Sequence, residues 1–583
     1  MVRRRALVAS LVLLVVVGLG YAVFSAYRAA SSLLAVSDSA ALLREQVSVG
    51  DQAAAQQTLV QLQADAALAH ERTDGPMWSV GRHLPLLGDD VRAIQVVAEQ
   101  TDVLATDALP RLVAVADQLT LQTFSPRDGR FDLDAIAAVV PDLTAAAGVL
   151  ATADDEIGGI DPEGLVGRLR VPVTRLAADL STVTSATQAA ERAGLLLPEM
   201  LGGEGRREYL LLMQNNAEIR SLGGIPGSFA VITAEDGRLE MGRQGSILDV
   251  FPDFDSPVVE LTDEERSIFP TTLATDLRDT TITPDFPRAA DIASRLVGRS
   301  LDTTFDGVLS VDAVTLSYLL DGVGQLELVD GTVLTSGNAV DELLNRVYVR
   351  FEGNGEAQDA LFADAARRVF DAFTGGAANA PVVVQGLVRA ASDGRVLVWS
   401  ADPQLEERIA ETGLSGALPT SSTRPDVGVY VSDAIASKLE YYLDTSPMLR
   451  ATTCEDGVQT MRLGVRLSSE ATEDVADLPL VDERFGLPEG LPRGDMALNV
   501  RVFGPVEGEL TELRVNGQPQ SVAGGTYEGR PVAVVPVTIS PGSAVNVEMV
   551  VTSGPDQTGD PRLSRTPGLY AARGTATIPS ACG

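Results

Sequence analysis

Lysine is almost missing from this 583-residue chain: Lys438 is the only one, so the remaining strong side-chain cations are all arginines, which are forked and permanently charged. Basic residues are outnumbered altogether, 45 against 80 acidic, for a formal net charge of −35. That balance excludes a general nucleic-acid or anionic-membrane surface, which needs clustered positive charge. Histidine is limited to His70 and His83, both in the N-terminal third. The rest of the chain therefore holds no Ser-His-Asp or Cys-His apparatus. The stretch around His83, WSVGRHLPLLG, reads as packing at a helix corner. Cysteine is limited to Cys454 and Cys582, too few for a thiolate zinc site. In an oxidising compartment the two are expected to form one disulfide, the alternative being two separate buried thiols.

What is present is apolar material: 45% of residues are hydrophobic, enough to fold most of a chain whose length favours several domains. The N-terminus, MVRRRALVASLVLLVVVGLGYAVFSAYR, carries an uncharged run from Ala6 to Tyr27. As a helix this run spans roughly 33 Å, enough to cross a bilayer core. Arg3, Arg4 and Arg5 before it predict a cytoplasmic N-terminus, by the positive-inside rule, and an extracytoplasmic bulk. A cleavable signal peptide is the alternative, but its apolar region is typically about 7–15 residues, so the length favours a retained single-pass anchor in the cell membrane.

Three textures follow the anchor. From 29 to 200 apolar residues recur at three- and four-residue spacing, as in AALLREQVSVGDQAAAQQTLVQLQADAALAHERT, which predicts a helical stalk or bundle. From 206 to 423 strands and helices alternate. REYLLLMQ, GSFAVITA and RLEMGRQ read as strands, the last two joined by the turn EDG. FDGVLSVDAVTLSYLLDGVG reads as a strand over Gly307–Val311, then Asp312 capping a helix that ends near Gly322. Asn338 is expected to cap a further helix, and GRVLVWSADPQLEERIAETGLSG again gives strand, cap and helix. From 424 to 583 short alternating runs such as MALNVRVFG and AVNVEMVVTSG predict a β-sandwich. The fold class is thus α+β and multidomain: segment 1–28 with the anchor, the stalk, an α/β core and the sandwich.

The chemistry left open is that of carboxylates and guanidinium groups. Glu218 and Arg220 precede the glycine-rich GGIPG between two strand-like runs. They either face an anion, with the glycines letting the backbone approach it, or form an internal ion pair. GGIPGS itself lacks the lysine and Ser/Thr of a phosphate-binding P-loop. Asp249, Asp253, Asp276, Asp279 and Asp285 crowd a proline-punctuated, loop-like stretch. This is either a Mg2+ site of hard oxygen ligands or a solvated acidic loop. Arg346 and Arg350, four apart on one helix face, are surface charges or two forks aimed at an anion.

YLLLMQNNAEIRSLGGIPGSFAVIT, PDFPRAA, FDGVLSVDAVTLSYLL, VLVWSADPQLEERIAETGLSGAL and SKLEYYL, spread over about 206–445, closely resemble the ordered motifs of a membrane-anchored bacterial family catalogued as domain of unknown function four-zero-one-two. The order of elements also bears a more distant likeness to the LytR-CpsA-Psr family, whose α/β core binds polyprenyl-pyrophosphate lipids outside the membrane and transfers glycopolymers to the cell wall. This likeness implies Arg220 and Arg350 on a pyrophosphate and Asp249 or Asp285 on Mg2+. The implied partner is a lipid-linked or cell-wall glycan of envelope or exopolysaccharide assembly. The alternative is a non-catalytic scaffold docking other envelope proteins.

Overall fold

The computed structural model describes residues 36, 38–43, 45–46, 51–85, 87–118, 126, 129–251, 253–376, 378–481, 487–569 and 575–582. The expected anchor over Ala6–Tyr27 lies outside them. The chain forms two compact units, one of Met1–Phe124 with Asp132–Pro198, the other of Ser125–Phe131 with Glu199–Gly583.

The first unit is helical. Its helices include α1 (Gln52–Thr73), α2 (Gly88–Val103), α3 (Leu109–Gln118), α4 (Leu133–Gly158) and α5 (Gly167–Met200). Asp51 and Asp132 cap α1 and α4 by accepting from Ala54 N at 3.1 Å and Ala135 N at 3.0 Å. Helix α4 is long and apolar enough to cross a membrane by length and composition. Its buried residues Ile136, Val139, Leu143, Ala146, Leu150, Ala153 and Ile157 repeat at three and four, the spacing of a bundle core.

The second unit holds the α/β core and the sandwich together. Strands β1 (Arg207–Asn215), β2 (Ile225–Glu235) and β3 (Arg238–Ser246) form antiparallel neighbours. The β2–β3 turn places Asp236 at φ 49° and Gly237 at φ 79°, the left-handed pair a tight hairpin requires. Helix α6 (Phe286–Leu301) leads into β4 (Gly307–Asp312), which is parallel to β1. Helices α7 (Ala313–Val323), α8 (Gly355–Thr374) and α9 (Ala380–Ser392) precede β5 (Leu397–Ser400), completing the sheet order β3-β2-β1-β4-β5. Asp312 caps α7 through Thr315 N at 2.7 Å, as its position predicts. Asn338 instead turns its side chain back, accepting from Thr335 N at 2.7 Å, and makes no cap.

Period-two alternation gives this sheet two buried faces. Leu210, Leu212, Phe229 and Val308 pack against α6. Tyr209, Ala230, Ile232 and Leu211 face Phe370 of α8.

The sandwich begins with β6 (Asp426–Asp433), β7 (Leu443–Glu455), β8 (Val458–Ser469), β9 (Met496–Phe503), β10 (Glu509–Val515), β11 (Gln518–Pro519) and β12 (Gly524–Tyr527). It ends with β13 (Arg530–Ile539), β14 (Ala544–Thr552), β15 (Arg562–Arg565) and β16 (Thr575–Thr577). Its sheets run β11-β10-β14-β8-β7 and β12-β13-β9-β6-β15-β16. Met461, Leu463 and Val465 of β8 meet Leu498, Val500 and Val502 of β9 in the core between them. The opposite face of the six-stranded sheet is covered too: Tyr430, Phe503, Tyr527 and Val532 join the cluster around α6. A division at 423/424 therefore separates textures of sequence and not bodies, because one apolar cluster crosses it. Cys454 and Cys582 are disulfide-bonded, with Cα atoms 5.1 Å apart.

Candidate functional site

Between the β1/β2/β4 sheet and helices α7, α8 and α9 lies a cavity of about 1130 Å3, above the roughly 300–1,000 Å3 usual for small-molecule sites. Leu211, Met213 and Val311 wall it from the sheet, Leu316 and Leu319 from α7, Phe362, Ala366 and Phe370 from α8. Charged groups gather at the C-terminal ends of the parallel strands, where open α/β sheets place their ligands. Asn215 ends β1, Glu218 and Arg220 follow it, and Asp312 ends β4; all line the cavity.

The segment after β1 is a loop and not a strand, so Glu218 and Arg220 take separate partners. Glu218 accepts from Asn215 Nδ2 at 2.7 Å and pairs with Lys438 at 3.4 Å. Lys438 also lies over the Tyr348 ring, 4.7 Å from its centroid. Arg220 donates through Nε and Nη2 to Asp279 Oδ1 at 3.2 and 3.1 Å, and through Nη1 to the Ile219 carbonyl at 3.0 Å. Arg278 forks onto Asp276, with Nη2 2.6 Å from Oδ2, and reaches Asp253 at 3.1 Å. Gly224 lets the loop return to β1: a Cβ there would sit 2.1 Å from the Asn215 carbonyl oxygen.

The other expected site residues fall elsewhere. Arg350 does not line the cavity; it is held by Asp330 at 3.0 Å, Thr332 at 2.7 Å and Glu342. Arg346 pairs with Asp341 at 2.6 Å. Asp249 lies on a short helix, Ile247–Val250, and its side chain is outside the described residues. Asp285 precedes α6 away from the cavity lining, and burial, then the negative charge of Glu528, pushes its carboxyl up to about 6. Among the described residues no group of three or more His, Cys, Asp or Glu is arranged to hold a metal ion. Asp276 and Asp279 are already engaged by Arg278 and Arg220, which leaves neither free as an oxygen ligand for Mg2+.

Three contributors come from the sandwich, where the sequence drew no attention to them. Asn499 and Arg501 on β9 line the cavity, as does Asp433 at the end of β6. Alternation along MALNVRVFG marks Arg501 as outward-facing, which in an isolated sandwich means solvent. Here that face is covered, and Arg501 is 3% exposed.

Asp433 is also buried, and desolvation outweighs the nearby Arg220 charge to push its carboxyl up to about 7. Glu440, buried beside it, is raised well above the ordinary carboxylate range by burial and by Asp433. A carboxyl raised by folding costs nothing below its unfolded pKa near ~3.9 and destabilises increasingly as pH climbs toward the folded value. Stability should therefore fall as pH rises from 5 to 7.5. Urea unfolding at pH 5, 6 and 7.5 measures this. Asp433→Asn should reduce the slope, leaving the part due to the burial of Glu440, and a wild type that gains stability over this window would contradict the assignment.

Residues 204–348 match a family model described as Protein of unknown function (DUF4012). No curated protein and no solved structure matches the chain.

Proposed function

We propose that the second unit is a receptor for an amphiphile with a long apolar chain and an anionic head, of the polyprenyl-pyrophosphate class, in cell-envelope or exopolysaccharide assembly. On this reading the chain is held at the membrane by its N-terminal segment, with the receptor outside the cytoplasm and a core of the LytR-CpsA-Psr type. The observation that carries it is the cavity: apolar walls from one sheet face and three helices lead to arginine, lysine and aspartate at the strand ends. Water alone has no use for so much apolar surface, whereas an isoprenoid chain would gain about 0.8 kcal/mol for each buried methylene. Binding is the activity this reading supports.

The test is mass spectrometry of organic extracts from the detergent-purified full chain, compared with Ala366→Trp and Leu316→Trp, which fill the wall positions. Wild type should carry a polyprenyl phosphate. Each variant should carry about tenfold less, as expected when an indole displaces two or so methylenes. Absence of lipid, or equal amounts in all three proteins, would return the chain to the scaffold reading.

A further inference from the structure

Arg501 lines the cavity as a buried charge that is only partly satisfied. Its side chain projects from β9 on the face opposite Val500 and Val502, stacks 5.4 Å from the Phe269 ring centroid, and donates from Nε to the Ile268 carbonyl at 3.3 Å. Its Nη1 is buried with no hydrogen-bond partner among the described residues. Burial, then the like charge of Arg220, pushes the guanidinium down to about 10, while Asp279 acts the other way. Asp279 is the carboxylate that Arg220 already holds at 3.1 Å. Arg501 thus has no carboxylate of its own, whereas Arg220 also faces Asp433 and Glu218. An incompletely compensated buried cation is costly, and among the described residues Asp279 is the one carboxylate that acts on this one.

We propose that Arg501 is the sandwich's contribution to the ligand site and, together with Arg220, binds a phosphate or pyrophosphate group in the cavity. The identity of the ligand as a lipid head group rests on the receptor reading above; the anion site itself does not. Arg501 falls outside the 204–348 family match. A guanidinium with a free fork suits a tetrahedral, doubly charged oxyanion, and enclosure by apolar walls strengthens the contact.

The experiment is calorimetric titration of the detergent-purified full chain, wild type and Arg501→Met, with inorganic pyrophosphate, a polyprenyl phosphate and the uncharged polyprenol. The methionine keeps apolar contact with Phe269 and removes the unmatched charge, so Tm without ligand should not fall. Affinity for pyrophosphate and polyprenyl phosphate should drop about 10- to 100-fold, as for loss of a charged hydrogen bond. Affinity for polyprenol should hold. Equal affinities of the two proteins for both phosphate probes would overturn the assignment while leaving the lipid reading standing. Pyrophosphate binding that depends on Arg501, with no binding of polyprenyl phosphate or polyprenol, would support the anion site and sink the lipid reading. Wild type binding neither phosphate probe would overturn both. Should Arg501→Met fail to fold, Arg501→Lys decides: it keeps the charge, loses the fork, and should weaken both phosphate probes severalfold, whereas unchanged affinity would overturn the proposal.

Discussion

Replacing Arg395 by methionine should destabilise the second unit by roughly 3–5 kcal/mol, the range for breaking a buried ion pair from one side. Arg395 Nη1 lies 2.7 Å from Asp312 Oδ2, with both side chains 3% exposed. Asp312 is also where β4 hands over to α7: Oδ1 accepts from the Thr315 amide at 2.7 Å and hydroxyl at 2.8 Å, and Oδ2 from Asn216 Nδ2 at 3.0 Å. On its far side Arg395 donates to the Gly568 carbonyl, so one guanidinium joins the core to the chain's last described stretches. Without it the carboxylate keeps its hydrogen bonds but loses its counter-charge in a site closed to water. Tm should fall by roughly 5 °C, given about 2 cal/mol/K of unfolding entropy per residue in a unit this size. Arg395→Met combined with Asp312→Asn should recover much of the loss, since the second change removes the stranded charge. A loss below about 1 kcal/mol for the single variant would show that Asp312 needs no cation.

The second large effect concerns the disulfide. Cys454 and Cys582 are 128 residues apart in sequence, and cross-links closing loops this long contribute typically about 2–4 kcal/mol. The bond pins a terminal segment where Ser580 and Ala581 donate to Gln459 Oε1 at 3.1 Å each and Ser580 also donates to the Thr558 carbonyl at 2.6 Å. The double variant Cys454→Ser/Cys582→Ser should unfold at lower urea concentration than wild type. Reductant should shift wild type to meet it and leave the variant unmoved. Identical midpoints with and without reductant would mean that the bond adds nothing to stability.

Local rules carried the reading of sequence a long way. Asp236-Gly237 between alternating apolar runs specified the β2–β3 hairpin, and Asp312 before AVTLSYLLDGV specified a strand end, a cap and a helix start. Other elements were obscured by composition: the prolines of PDFPRAA suggested a loop, but Pro287 occupies the first turn of α6, where a missing amide proton costs nothing. Helix α9 was hidden in the same way, with Pro381 in its first turn followed by a β-branched run, Val382–Val384. For the site, the stretch after β1 could be singled out because glycines beside a charged pair are locally conspicuous. What it faces was not legible. Arg220 meets Asp279 and Asp433 through tertiary folding alone, and Arg350, equally conspicuous on paper, is satisfied by Asp330 and Glu342. Arg501 was invisible for a further reason: strand alternation tells which residues share a face, never what covers that face.

The shared wall between core and sandwich has a practical side for anyone dissecting the chain. Phe503, Tyr527 and Val532 are surface residues of the sandwich only if the core is removed, and Phe286, Ile292 and Leu296 of α6 lie in the same apolar cluster. Severing the polypeptide near 424 would leave both fragments with a sticky flank and would strip Asn499, Arg501 and Asp433 from the cavity. Fragments meant to stay soluble should keep 199–583 intact. They should also supply the 125–131 piece, whose Phe131 amide donates to the Gly237 carbonyl at 2.9 Å, as an added peptide or a grafted strand.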